Sequence, residues 1–120
     1  MNAVLSSPYL KPLTWEAGTA PEAAADFFFW CPGCKGVHAL YTTHPNRYRA
    51  QWKITSFVPL SVTPSVHVFY HANADDSKAE GQRLTLCHLF IQNDHLRFLP
   101  DCKHALAGQT VHMLAREEIP

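Results

Sequence analysis

Cys31-Pro32-Gly33-Cys34 constrains this chain more than any other stretch. Two thiols three positions apart, with Pro and Gly between them, make a tight knuckle. Both sulfurs can face one ion there, and main-chain N–H groups can face the sulfurs, which is half of a metal site. The other half must come from far along the chain. Cys87-His88 and Asp101-Cys102-Lys103-His104 offer it.

The 120 residues bound one domain, and 47% hydrophobic against 17% charged residues suffices for a core. Formal net charge is zero and the pI is about 7.1. That balance argues against a general phosphate-backbone binder, which carries a positive excess. The N-terminus shows no basic segment followed by an apolar run. No apolar stretch approaches the roughly 20 residues that span a bilayer. The expectation is a protein of the host-cell cytoplasm with no membrane segment. In that reducing compartment the four cysteines serve as ligands or buried thiols rather than disulfides.

Residues 1–26, interrupted by Pro8, Pro12 and Pro21, read as a peripheral arm that Tyr9, Leu10, Leu13 and Trp15 can anchor. Residues 27–114 read as the domain and 115–120 as a loose tail. Phe27–Trp30 and Val37–Tyr41 form a hairpin whose tip is the knuckle. Arg49–Ser56 is a strand, 59–65 is irregular, Val66–Tyr70 is a strand, and 71–82 is a solvated loop. Leu84–Leu99 is a hairpin around Asn93-Asp94. Its strands present Cys87, Leu89, Ile91, Leu96 and Phe98 on an apolar face, with His88, Phe90, Gln92, His95 and Arg97 opposite. Cys87 and His88 therefore point to opposite sides, so only one readily ligates a given ion. Asp101–Gly108 reads as one helical turn, Asp101 its N-cap, and Thr110–Leu114 as the last strand. The fold class is mostly β: a small antiparallel domain of about seven strands with a zinc-ribbon-like knuckle and one short helical turn.

Seven residues compete for one tetrahedral ion, expected to be Zn2+: Cys31, Cys34, His38, Cys87, His88, Cys102 and His104. Cys31 and Cys34 come first and Cys102 third. The fourth place is open between Cys87, His88 and His104, with His38 nearby as a further alternative. A structural zinc closes with four protein ligands, whereas a catalytic one keeps a place for water. The acid/base groups Asp101 and His104 keep a zinc hydrolase open as an alternative. There is no HExxH, no HxE before the CxxC, no P-loop and no GxSxG, which lowers the weight of an enzyme.

Three blocks in this order resemble a family of small phage and prophage proteins: Cys31-Pro-Gly-Cys34 with His38, then Cys87-His88-Leu-Phe90, then Asp101-Cys102-Lys-His104-Ala-Leu-Ala-Gly-Gln109-Thr110. The resemblance spans roughly residues 27–114, and its last block is the most specific. Members sometimes carry the label ammonia monooxygenase, which these motifs do not support. Related domains stand beside bacterial ubiquitin-like conjugation genes. The chain departs from the family in the middle loop. Trp52 runs into Lys53-Ile54-Thr55 where the family has Trp-Asn-Gly, and only Pro64-Ser65 remains of a longer Pro-Thr and Pro-Ser pattern. Asn93-Asp94 also replaces a turn that often holds Gly. The resemblance implies His88 as the fourth ligand, giving Cys31, Cys34, His88 and Cys102.

The function expected on these grounds is a phage-derived zinc-binding module that binds a host or phage protein, as an inhibitor of a host defence system. Trp15, Tyr48, Trp52 and Phe57 are its candidate anchors. The alternatives are the zinc hydrolase and a nucleic-acid-binding ribbon using Lys35, Arg47, Arg49 and Lys53.

Overall fold

In the computed structural model, which describes residues 7–71 and 83–120, the chain forms two antiparallel sheets. The first is three-stranded, in the order β1 (Lys11–Pro12), β2 (Phe27–Cys31), β3 (Gly36–Leu40). The second has five strands in chain order: β4 (Lys53–Phe57), β5 (Leu60–His71), β6 (Arg83–Gln92), β7 (His95–Phe98) and β8 (Thr110–His112). The solvated loop expected over 71–82 falls almost wholly outside the described residues.

Alternation decides which residues form the core. Along β2 the burial pattern places Phe27, Phe29 and Cys31 inside and Phe28 and Trp30 half-buried. Along the β6–β7 hairpin, Leu89 faces Phe98 and Ile91 faces Leu96, the expected register. The turn holds Asn93 and Asp94 at φ 50 and 66, as a two-residue turn between twisted strands requires. Cys87, Leu89, Ile91, Leu96 and Phe98 join Phe29, Cys31 and Leu40 in one apolar cluster built from both sheets.

The strand expected over Arg49–Ser56 begins only at Lys53, with Arg49 in a turn at φ 67, and three further features differ from the sequence expectations. The segment read as irregular, 59–65, belongs mostly to β5. Its irregularity is confined to a bulge, because Val62 pairs with Ile91 and Val66 with Leu89, so Thr63, Pro64 and Ser65 stand opposite Phe90 alone. Pro64 has no N–H for a ladder, which suits it to a bulge. Residues 101–108 form successive turns rather than a helix, with Ala107 N–H donating to His104 O and Gln109 N–H to Leu106 O. The tail is tied down: the Arg116 guanidinium donates to Ser7 O at 2.6 Å, and Arg116 N–H to Pro8 O at 2.8 Å. Leu10 of the arm is fully buried.

Candidate active site and metal centre

The knuckle follows from its residues. Lys35 adopts φ 56 and its N–H donates to Cys31 O at 2.8 Å, closing the turn between β2 and β3. Cys34 N–H points at Cys31 Sγ, 3.4 Å away. Across the core, Cys87 on β6 brings its Sγ to 3.9 Å from that of Cys31. Cys31, Cys34, His38 and Cys87 place one donor atom each within 4.8 Å of one another, so this cluster could hold a metal ion. A second trio, Cys87, Cys102 and His104, shares Cys87 with it.

The electrostatics are those of crowded thiols. A hydrogen bond from Cys87, aided by His38, pulls the Cys31 thiol down to about 3. The same bond pushes the Cys87 thiol far up, with burial and the other sulfurs adding to it. Burial first, and the Cys31 charge second, raise Cys34 to about 11. One of these thiols ionises readily and its neighbours resist, which is the behaviour of thiols sharing a site that a cation would neutralise. The His38 ring packs edge-on against Phe29, and its Nε2 is buried with no partner. His104 Nδ1 accepts from Leu106 N–H, so the neutral ring carries its proton on Nε2 and donates it to Cys87 Sγ at 3.4 Å.

Three expected ligands, Cys31, Cys34 and Cys102, lie at or beside the cluster, but His88 does not. Because side chains alternate along β6, Cys87 turns inward to the thiols and His88 outward. There its Nε2 lies 3.0 Å from Ser65 Oγ and its Nδ1 3.2 Å from Asp101 Oδ2. Asp101 thus approaches an imidazole instead of capping a helix. Ser65 comes from the β5 bulge, His88 from mid-β6, and Asp101 from the turn after β7.

The surroundings fix these groups. Both main-chain groups of His88 point toward the β7 side, where Leu99 N–H meets its carbonyl at 2.9 Å and Cys102 Sγ meets its N–H at 3.2 Å. His67 and His88 are therefore a non-hydrogen-bonded pair across β5 and β6, the kind whose side chains come closest. Their rings stack at 4.6 Å and 28°. Trp52 donates its indole N–H to Ser65 O at 3.1 Å. The His88 side chain is 23% exposed and that of Asp101 48%, so the constellation is open to solvent. A groove of about 780 Å³ abuts the bulge, lined among others by Trp52, Lys53, Ile54, Phe57, Thr63 and Pro64.

Of the candidate anchors, Trp15 and Tyr48 are about half exposed and Trp52 is buried. Ser65 is the residue that sequence reasoning missed. Its one signal was the Pro64-Ser65 pair, retained inside an otherwise divergent loop.

Fold and site together define a small β protein carrying a serine–histidine–aspartate constellation back to back with a thiol cluster. The chain belongs to the BubE family, described as bacterial ubiquitination-like system serine protease, whose pattern matches residues 10–99. That description agrees with the expected association with ubiquitin-like conjugation. No curated protein and no solved structure matches the chain. Among the described residues, no helix is long and apolar enough to cross a membrane.

Proposed function

We propose that this chain is a serine protease acting on a protein of a bacterial ubiquitination-like system. The observation that carries the reading is the hydrogen-bond chain from Ser65 Oγ through His88 to Asp101, at 3.0 and 3.2 Å. The family's description names a serine protease of such a system, and a protein of that system as substrate is our reading of it.

Each residue has a role that its geometry suits. With the ring proton on Nδ1 and held by Asp101, His88 Nε2 is free to take the Ser65 hydroxyl proton. Ser65 Oγ then attacks the carbonyl carbon of the scissile bond. As the tetrahedral intermediate collapses, His88 gives its proton to the leaving amine nitrogen, and an ester to Ser65 remains. A water molecule, deprotonated by His88, attacks that ester. Its second tetrahedral intermediate expels Ser65 Oγ, which recovers the proton. Asp101 keeps its charge throughout and steadies the imidazolium. The groove beside the bulge receives the polypeptide next to the scissile bond.

The thiol cluster is the structural partner of this site. Cys31, Cys34 and Cys87 would hold Zn2+ together with Cys102, which shares a donor trio with Cys87 and would close up on the ion in place of the His38 ring, while His104 donates a hydrogen bond to Cys87 Sγ. The 3.9 Å between Cys31 and Cys87 sulfurs fits the edge of a tetrahedron with Zn–S bonds of about 2.3 Å. Four thiolates close the coordination shell, which favours a structural ion over the zinc hydrolase expected as an alternative.

The interaction role expected from the sequence persists in narrower form, because the protein partner is the substrate. A phage-borne inhibitor of host defence would bind through the same surface without cutting. A fluorophosphonate probe tests the protease reading. Covalent labelling of Ser65 in the parent, read by peptide mass spectrometry, absent in Ser65→Ala and strongly slowed in His88→Ala, supports it. An unlabelled, folded parent that returns its protein partner intact overturns it in favour of the binding module.

A further inference from the structure

Two of the sulfur donors adjoin the triad in the chain: Cys87 precedes His88, and Cys102 follows Asp101. The main chain adds a second link. Between the bonds Leu99 N–H to His88 O and Lys103 N–H to Leu86 O, Pro100 and Asp101 leave the ladder. The His88 N–H is then left without a carbonyl from that segment, and Cys102 Sγ takes it at 3.2 Å. The same sulfur lies 3.2 Å from His88 O, a contact that the protonated thiol makes and that an ion-bound thiolate gives up while still accepting the His88 N–H. One sulfur therefore bridges the gap through which the Asp101 carboxylate reaches His88 Nδ1.

Resting on the protease reading, we propose that Cys102 is a positioning residue for the triad. Anchored to the ion that Cys31, Cys34 and Cys87 share, it holds the Asp101 turn against the His88 peptide. Metal occupancy then sets the His88–Asp101 contact, and the knuckle is a control point for the serine. A cysteine that served only as a ligand would be replaceable by any group that keeps the ion.

The test compares Cys34→His and Cys102→His, both of which leave a zinc ligand in place. Three readouts are needed: zinc per chain, the downfield Nδ1–H proton resonance of His88, and the rate of Ser65 labelling by a fluorophosphonate. With zinc retained in both, Cys34→His keeps the resonance, because exchanging a ligand away from the Asp101 turn leaves the His88–Asp101 contact in place. Cys102→His loses the resonance, and its labelling slows about 100-fold, the scale on which a displacement of about 1 Å acts. Equal behaviour of the two variants overturns the proposal.

If either variant fails to fold, a zinc titration of the chelated parent decides. The resonance appearing with the first equivalent, over an amide spectrum already native-like, supports positioning. A resonance present without zinc overturns it, as does loss of the whole amide spectrum on chelation, which marks a plain structural staple. A parent that shows the zinc-dependent resonance yet never labels leaves the positioning claim standing and removes the protease reading. One that labels equally with and without zinc does the reverse.

Discussion

Cys87 and His88 are neighbours on one strand, and they serve opposite sides of it. The Cys87 sulfur lies 3.9 Å from that of Cys31 in the core, while the His88 imidazole lies 3.0 Å from Ser65 Oγ at the surface. A two-residue period makes this division obligatory, so one strand supplies a thiol of the core cluster and the imidazole that faces Ser65 in consecutive positions.

The triad gives the first prediction. Ser65→Ala removes fluorophosphonate labelling entirely and leaves the melting temperature within a few degrees, since Ser65 is only half-buried. His88→Ala slows labelling about 1,000-fold, within the range that loss of a triad member produces. Asp101→Asn costs less, about 10- to 100-fold, because the Asp101 side chain is 48% exposed and water can partly take over its contact. Labelling rates followed by intact mass give all three.

Metal content gives the second. Protein purified without added metal carries about one zinc per chain, lost in Cys34→Ser and in Cys87→Ser. His88→Ala keeps it, because the ring faces Ser65 and Asp101. Elemental analysis decides: a zinc lost with His88→Ala and kept with Cys87→Ser would reverse the assignment of the two faces.

Gly33→Ala tests the packing of the knuckle. A Cβ at this position would run into the His104 ring, and the ring must move off Cys87 Sγ to make room. The expected result is a roughly tenfold loss of zinc affinity, on the scale of lost hydrogen-bonding partners around metal ligands. Competition with a chromogenic chelator reads it. Gly18→Ala, where an added Cβ meets nothing but the backbone sits at φ 91, loses some stability and no metal affinity.

Asp26 predicts a pH dependence of stability. Burial alone would raise this carboxyl, but N–H donors from Thr43 and Thr42 and the Thr43 hydroxyl outweigh it, so its pKa falls below 3.8. A carboxyl depressed on folding stabilises fully above its unfolded value and loses that contribution as pH falls through the folded value. Asp26→Asn is therefore less stable than the parent near neutral pH, by about 1 kcal/mol for this half-buried group, and the gap closes as pH falls through the depressed folded value. Urea denaturation of both proteins at neutral and acid pH checks the sign.

Much of the fold could be read from residues alone because the signals were local. Phe27-Phe28-Phe29-Trp30 running into a CxxC specifies a strand and a knuckle, and Asn93-Asp94 between alternating apolar residues fixes the β6–β7 register. The same alternation showed that Cys87 and His88 part ways. Pro64 misled, since a proline that breaks a regular ladder is tolerated where β5 bulges. Asp101 misled as well: its place before a short polar run suits a helix cap, and nothing nearby in sequence shows an imidazole waiting for it.

The sequence by itself determined that this is a mostly-β domain with a cluster of thiols, because strand alternation, turn chemistry and CxxC spacing act over a few residues. Only the tertiary structure decided which residue faces which. Ser65, His88 and Asp101 lie far apart in the chain and meet through the β5–β6 register, its bulge and the turn that Cys102 closes. Strand alternation gives each side chain a face but not a neighbour, and the neighbour is set by cross-strand pairing, to which distant residues contribute.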